Sequence, residues 1–214
     1  LIKKEEALEK LLCANPADNM SSMSCEEKFI DLAKKNVRIL GMNGELTKNK
    51  GYVYALEGFK QYKDFIGSQM DMHLIIVSDG EQRQMLLDMA KSLGLQEDVT
   101  FAGYVADART YMQAFDLFLM SSVKEGLPYT IIEAGFAKVP VISTNVGGIS
   151  EVIENLRTGF LIKPKRAQEI KNTLTYIDDH RGEERQYAEL LHEKILAEYD
   201  FEKQYQKLAA LYNA

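Results

Sequence analysis

Glu125 and Glu133 bracket the part of the sequence best suited to holding a polar ligand, Ser121-Ser122-Val123-Lys124-Glu125-Gly126-Leu127-Pro128-Tyr129-Thr130-Ile131-Ile132-Glu133-Ala134. An apolar strand candidate ends near Met120, and a helix is expected to start at about Pro128. Proline suits a first helical position, where its missing N–H would have had no partner. The unpaired N–H groups and the dipole of such a helix favour an anion, and Gly126 lets a ligand approach the backbone. Glu133 falls in an otherwise apolar helix, among Ile131, Ile132, Ala134, Phe136 and Ala137. A carboxylate there must reach solvent or find donors, because burying it unpaired is costly. Sugar hydroxyls are suitable donors; an exposed edge of a packed helix is the plainer alternative. Thr144-Asn145-Val146-Gly147-Gly148-Ile149-Ser150-Glu151 is a second glycine-bearing turn. It either aims backbone N–H groups at a phosphate or is simply a tight structural turn.

These loops need a scaffold, and the flanking pattern supplies one. Apolar strand candidates at Val37–Leu40, Leu74–Val77, Val99–Ala102, Leu117–Met120, Val139–Ser143 and Phe160–Ile162 alternate with helical stretches. The helices are expected at Tyr52–Ser68, Glu81–Leu93, Ala108–Phe115, Tyr129–Lys138 and Ile149–Glu154. Strands separated by helices of this length imply βαβ crossovers and a parallel sheet. Near-continuous apolar strands, such as Leu74-Ile75-Ile76-Val77, imply helices on both faces. The expected fold is therefore a doubly wound, Rossmann-like α/β domain of about six parallel strands. Ahead of it, residues 1–36 read as a helical or linker segment, and residues 37–214 as the domain. Ser24-Cys25-Glu26-Glu27 has capping-box spacing and predicts a helix through about Lys35. The chain is expected to be helical from residue 163 to its end, with one break at Asp200 and a final amphipathic helix through Tyr205, Leu208 and Leu211. In an open parallel sheet, ligands sit beyond the carboxyl ends of the strands, which is where every loop singled out above lies.

Bulk properties narrow the function. The 214 residues carry a net charge of -6, with 46% hydrophobic and 27% charged residues. That is an ordinary folded protein and a poor candidate for nucleic acid, which asks for clustered positive charge. No apolar run is long enough to span a bilayer, and Leu1-Ile2-Lys3-Lys4-Glu5-Glu6 has no signal-peptide pattern. The default compartment is the cytoplasm, and the absence of an initiating Met suggests a chain cut from something longer. Cys13 and Cys25 allow a disulfide without implying a framework, and His73, His180 and His192 have no metal-ligand spacing.

The spacing Glu125-x7-Glu133, within Glu-Gly-Leu-Pro-x4-Glu-Ala, resembles the signature of the family 4 retaining glycosyltransferases of GT-B fold. Other blocks follow in that family's order: Val77-Ser78-Asp79-Gly80; Leu93-Gly94-Leu95 with Val99-Thr100-Phe101-Ala102-Gly103; Pro140-Val141-Ile142 with Gly147-Gly148-Ile149-Ser150-Glu151; and Thr158-Gly159-Phe160. Any one block is weak; together, from about residue 37 onward, they are specific. The resemblance implies the C-terminal, donor-binding half of such an enzyme, taking a nucleoside diphosphate sugar and passing the sugar with retention to an acceptor, a saccharide or lipid-linked saccharide. It implies that Glu133 binds the ribose hydroxyls and that Glu125, the catalytic candidate, lies near the donor sugar. The backbone of Gly126, Leu127 and Pro128 would approach the sugar and diphosphate, Gly103 and Tyr104 would line the base, and Lys50 would belong to a basic clamp. No metal and no cofactor are implied.

Two departures qualify this. The family clamp reads Gly-Arg-Leu-x3-Lys-Gly, whereas Gly44-Glu45-Leu46-Thr47-Lys48-Asn49-Lys50-Gly51 keeps Lys50 but puts Glu45 in the Arg position. Like charges about 4 Å apart cost roughly 4 kcal/mol at an effective dielectric of about 20. The second departure is size, since about 36 residues before the first strand cannot hold the N-terminal acceptor-binding domain of a GT-B enzyme. The isolated chain is accordingly expected to be inactive, with any membrane contact made by parts outside it. A non-catalytic binding or interaction domain on the same scaffold is the alternative that Glu45 favours, because fold does not fix function.

Overall fold

The computed structural model describes residues 3–14, 20, 23–34, 37–67 and 72–199. The first helices are α1 (Lys4–Leu12) and α2 (Cys25–Lys34). Ser24 caps α2 as its spacing predicts: its Oγ accepts from Glu27 N–H at 3.2 Å, and its own N–H donates to Glu27 Oε2 at 2.9 Å. Donation to the Glu27 carboxyl by the Ser24 N–H first, and by the Ser24 side chain second, holds it below its ordinary range. A disulfide joins Cys13 to Cys25, Cα to Cα 5.2 Å, tying the end of α1 to the start of α2.

Six strands follow: β1 (Arg38–Asn43), β2 (Met72–Val77), β3 (Val99–Gly103), β4 (Leu117–Met120), β5 (Val141–Thr144) and β6 (Phe160–Ile162). All pair in parallel, in the order β3-β2-β1-β4-β5-β6. β1 and β2 run in register from Arg38 beside Met72 to Asn43 beside Val77, while β1 meets β4 only at Leu40–Leu117 and Gly41–Phe118. The intervening helices are α3 (Tyr52–Ile66), α4 (Arg83–Ser92), α5 (Tyr129–Phe136), α6 (Ile149–Val152), α7 (Ala167–Asp179) and α8 (Glu183–Glu198).

Successive strand residues point to opposite faces, and both faces are buried. Leu40, Met42, Leu74, Ile76, Leu117, Leu119 and Ile142 pack into one core with Phe59 and Tyr62 of α3 and Leu174 of α7. Ile39, Ile75, Val77, Phe118, Met120 and Val141 pack into the other with Leu8 and Leu11 of α1, Ile131 of α5 and Leu191 of α8. Helices thus cover both faces of the sheet, as the apolar strands require.

Two local expectations change. Ala108–Ala114 winds as a 3-10 helix, not an α-helix. The C-terminal helical region breaks at His180–Gly182, where Gly182 takes φ 103 between α7 and α8. The run of charge around Arg181-Gly182-Glu183 reads as a continuous solvated helix face, which hides the one residue free to reverse the chain. The expected break at Asp200 and the final helix lie outside the described residues.

Candidate functional site

The strand order changes direction between β1 and β4: the chain goes outward from β1 through β2 to β3, then returns across the sheet to begin β4. The crevice beyond the carboxyl ends at such a point is where an open α/β sheet takes its ligand. Three loops meet there and are hydrogen-bonded to one another. Ser121 Oγ donates to the carbonyls of Lys50 and Gly51 at 2.9 and 3.1 Å, and Val123 N–H donates to Asn49 O at 2.7 Å. Thr144 Oγ1, at the end of β5, donates to Ser122 O at 2.6 Å. Asn43, Lys50, Tyr52, Ser121 and Ser122 line a narrow cleft between the β1 and β4 ends.

Two glycines make this lacing fit. Gly51 has φ 66, and a Cβ there would lie 2.3 Å from the Ser121 carbonyl oxygen; Gly147 has φ 57, and a Cβ there would lie 2.0 Å from the Glu125 carbonyl oxygen. Gly148 N–H is spent on Gly126 O at 3.3 Å. The Gly147-Gly148 turn therefore serves as packing between the β5 and β4 loops, the plainer of its two readings.

Lys50 and Glu125 are brought together: Lys50 Nζ lies 2.6 Å from Glu125 Oε1, with the two side chains 27% and 11% exposed. Ser122 Oγ donates to the same oxygen at 2.7 Å. Lys50 reaches this position because Lys48–Lys50 forms a 3-10 turn closed by Gly51 in the left-handed conformation. Behind the pair, the buried Tyr52 hydroxyl donates to Gly44 O. Burial, with the Glu125 charge second, raises its pKa well above the ordinary range and keeps it a donor.

Gly126 is exposed, with no atom within 4 Å of where its Cβ would be. Leu127 is exposed, and Pro128 is buried at the entrance to α5, its carbonyl accepting from the N–H groups of Ile131 and Ile132 at 3.0 and 3.3 Å. Glu133 lies one turn into α5, half-buried. Burial raises its carboxyl pKa, and the charge of Arg109 acts against that rise. Arg109 sits in the 3-10 helix that crosses from β3 toward β4 and packs on α5. Gly103 ends β3 with φ 70, its carbonyl accepting Ser78 N–H at 2.9 Å, and Tyr104 beyond it is 77% exposed. β3 is three strands from β4, about 14 Å at ordinary strand spacing. Gly103 and Tyr104 therefore lie at the far end of the same edge, apart from the Lys50–Glu125 pair. Glu45 is exposed on the loop after β1.

Sequence reasoning assigned no role to Ser121 and Ser122, though both stand in the loop it singled out, and missed Tyr52 and Arg109. The first three emerge only from the β1–β4 adjacency, which no local spacing encodes. Arg109 sits in an unremarkable polar stretch. Among the described residues no group of three or more His, Cys, Asp or Glu is arranged to hold a metal ion, and no helix is long and apolar enough to cross a membrane.

The profile of the family described as "Glycosyl transferases group 1" matches residues 24–189, which takes in every loop described above. This chain belongs to that family. Among relatives of this glycosyltransferase chain, a 2-deoxystreptamine N-acetyl-D-glucosaminyltransferase of Niallia circulans is 32% identical over 135 residues, 62% of this chain and 33% of the relative. An N-acetyl-alpha-D-glucosaminyl L-malate synthase of Bacillus anthracis is 30% identical over 144 residues, 63% of this chain and 38% of the relative. The chain thus spans well under half the length of the curated relatives it matches. Its fold superposes on Anabaena Alr3699/HepE in complex with UDP-glucose with TM-score 0.77 at 25% identity, covering 96% of this chain and 55% of that one. It also superposes on the C-terminal domain of a glycosyl transferase group 1 family protein (LpcC) from Francisella tularensis, with TM-score 0.67 at 20% identity, covering 80% of this chain and 92% of that domain.

Proposed function

We propose that this chain is the donor-binding half of a retaining glycosyltransferase, holding a nucleoside diphosphate sugar in the crevice between β1 and β4. The observation that carries this reading is the Lys50–Glu125 pair at the sheet's switch point, between loops that bond to each other rather than closing over the crevice. Lys50 would meet the diphosphate, together with the N-terminal dipole of α5. Both bonds to Glu125 fall on Oε1, so Oε2 is the oxygen positioned to accept a sugar hydroxyl. Held as a carboxylate by an ammonium and a hydroxyl, Glu125 would orient the sugar as the C1–phosphate bond breaks and the acceptor oxygen bonds to C1. Glu133 would accept from the ribose hydroxyls and Tyr104 would stack on the base. Gly126, exposed and unobstructed, would let the donor approach the backbone. The relative crystallised with UDP-glucose supports a uridine diphosphate sugar as the first donor to test. No metal or other cofactor enters this reading.

The acceptor, a saccharide or lipid-linked saccharide, would need a second domain facing this edge. Holding both reactants together is a large part of the rate, so the 214-residue chain alone is expected to bind donor and transfer nothing. The narrow crevice and the exposed side chains of Tyr104, Leu127 and Tyr129 fit a site with one wall. A non-catalytic binding role is the second reading: Glu45 stands in the family's Arg position, and Lys50 already shares its charge with Glu125. A calorimetric or saturation-transfer screen of the chain against UDP, GDP and ADP sugars tests the donor site. Binding of one class at micromolar to millimolar affinity, about −4 to −8 kcal/mol, is expected. Binding of none contradicts the donor site.

A further inference from the structure

The opposite edge of the sheet holds a second cavity, of about 290 Å³. Val37 precedes β1, Met72 and His73 open β2, and Asp98 precedes β3, so this cavity lies at the amino ends of the strands, away from the donor crevice. Its charged and titratable lining comes from four elements: Lys28 and Asp31 of α2, Lys63 of α3, His73 of β2, and Glu97 and Asp98 of the turn before β3.

Lys28 is the anomaly. It is 5% exposed, and its Nζ has no hydrogen-bond partner among the described residues. The other basic groups are engaged: Lys63 Nζ lies 2.7 Å from Asp98 Oδ1, and His73 Nε2 lies 2.9 Å from Thr100 Oγ1. Burial lowers the Lys28 pKa, opposed by the charges of Glu97 and Asp98. His73 is pushed well below its ordinary value by burial first, then by the charges of Lys28 and Lys63. The three groups therefore sense one another across one small space. A buried ammonium with no counterion in contact is costly, and a bound anion would remove that cost.

We propose that this cavity is a phosphate site in which Lys28 makes the ion pair, a role a lysine fills as a point charge. Asp31 and Glu97 set the choice of anion. Near neutral pH a free phosphate or a terminal phosphomonoester keeps a P–OH for part of its population, a donor that a carboxylate can accept. Sulfate has none and would meet those carboxylates as a like charge. The site lies outside the proposed donor crevice and does not depend on it.

The test is NMR of the whole chain, following the His73 ring and the lysine Nζ signals at pH 6.5. Sodium phosphate, glucose 1-phosphate and sodium sulfate are titrated separately, with chloride holding ionic strength constant. A saturable shift with inorganic phosphate, at least tenfold weaker with sulfate, and lost in Lys28→Met and in Lys28→Gln is expected. The glucose 1-phosphate arm distinguishes a site for the free ion from one that takes an ester, and either supports the proposal. Both variants should keep the unliganded fold, because each removes an unpaired buried charge. No saturable shift in the wild type, or an undiminished one in either folded variant, overturns the site. Equal affinities for phosphate and sulfate overturn the choice of anion.

Discussion

Strand β1 has charged groups at both ends, arranged in opposite ways. At its amino end, Arg38 donates to Asp178 Oδ1 at 3.2 Å and to Glu184 Oε1 at 3.0 Å, with the two acids only 1% and 6% exposed. The Tyr62 hydroxyl also donates to Asp178, and Gly182 N–H donates to Glu184 Oε2 at 2.7 Å. Every charge there is met, and the network clamps α3, α7 and α8 to the sheet. At the carboxyl end, Lys50 and Glu125 are partly exposed, and their bonds leave Glu125 Oε2 open. Glu133 is half-buried and its charged neighbour is Arg109. A closed network serves stability; an open one is ready for a ligand.

The largest way to break this comparison is Arg38→Met. It strands two buried carboxylates, and removing one partner of such a set typically costs about 3–5 kcal/mol. Urea unfolding should show a large fall in midpoint, with donor affinity little changed in the fraction that remains folded. A small loss would mean that the amino end is not the clamp described here.

Two glycines sharpen it further. Gly51→Ala places a Cβ against the Ser121 carbonyl in a left-handed conformation, and should lose about 1–3 kcal/mol of stability along with donor binding. Gly126→Ala meets nothing and should leave stability within about 0.5 kcal/mol, while weakening donor binding if the sugar packs on that backbone. Thermal melts and calorimetry on both variants decide this: equal behaviour would show that the loops after β1 and β4 do not divide into a structural part and a ligand-facing part.

The fold was largely legible in the sequence. Apolar runs such as Leu74–Val77 mark buried parallel strands because water is excluded from both faces, and Ser24 with Glu27 marks a helix start because capping is a local interaction. The site was legible only where a loop carries its own signal, as Glu125, Gly126 and Glu133 do. The bond from Ser121 to Lys50 O joins residues 71 apart in sequence. Its existence depends on β4 lying beside β1, which is a property of topology. Likewise Gly182 looks like any residue of a charged helix until the chain turns at it.

Glu133→Gln probes the open end by pH. The folded carboxyl's pKa is raised above the ordinary glutamate value, by burial first, so ionising it in the folded state costs more than in the unfolded chain. The favourable contribution of protonated Glu133 is full below about pH 4.5 and is lost as pH rises through the higher folded value. The variant should therefore gain stability relative to wild type across that rise, while binding donor more weakly by one or two hydrogen bonds to a charged group, about 1.5–3 kcal/mol each. Urea melts at several pH values, beside a donor titration, check both. A flat stability difference would mean that Glu133 is solvated.

The smallest expected effect belongs to Glu45→Arg. The substitution removes an exposed like charge near the proposed diphosphate position, and should tighten nucleoside diphosphate binding several-fold at low salt, with the gain shrinking as salt is added. Unchanged calorimetric affinity would show that Glu45 points away from the phosphates.

The most direct measurement is a residue-resolved NMR titration of the 214-residue chain with UDP-glucose. The backbone amides of Gly44, Lys50, Tyr104, Gly126 and Glu133 should shift together along one saturable curve, while those of Arg38, Asp178 and Glu184 stay in place. An absence of saturable shifts at the carboxyl edge, or larger shifts around Arg38 than around Gly126, would contradict the donor site.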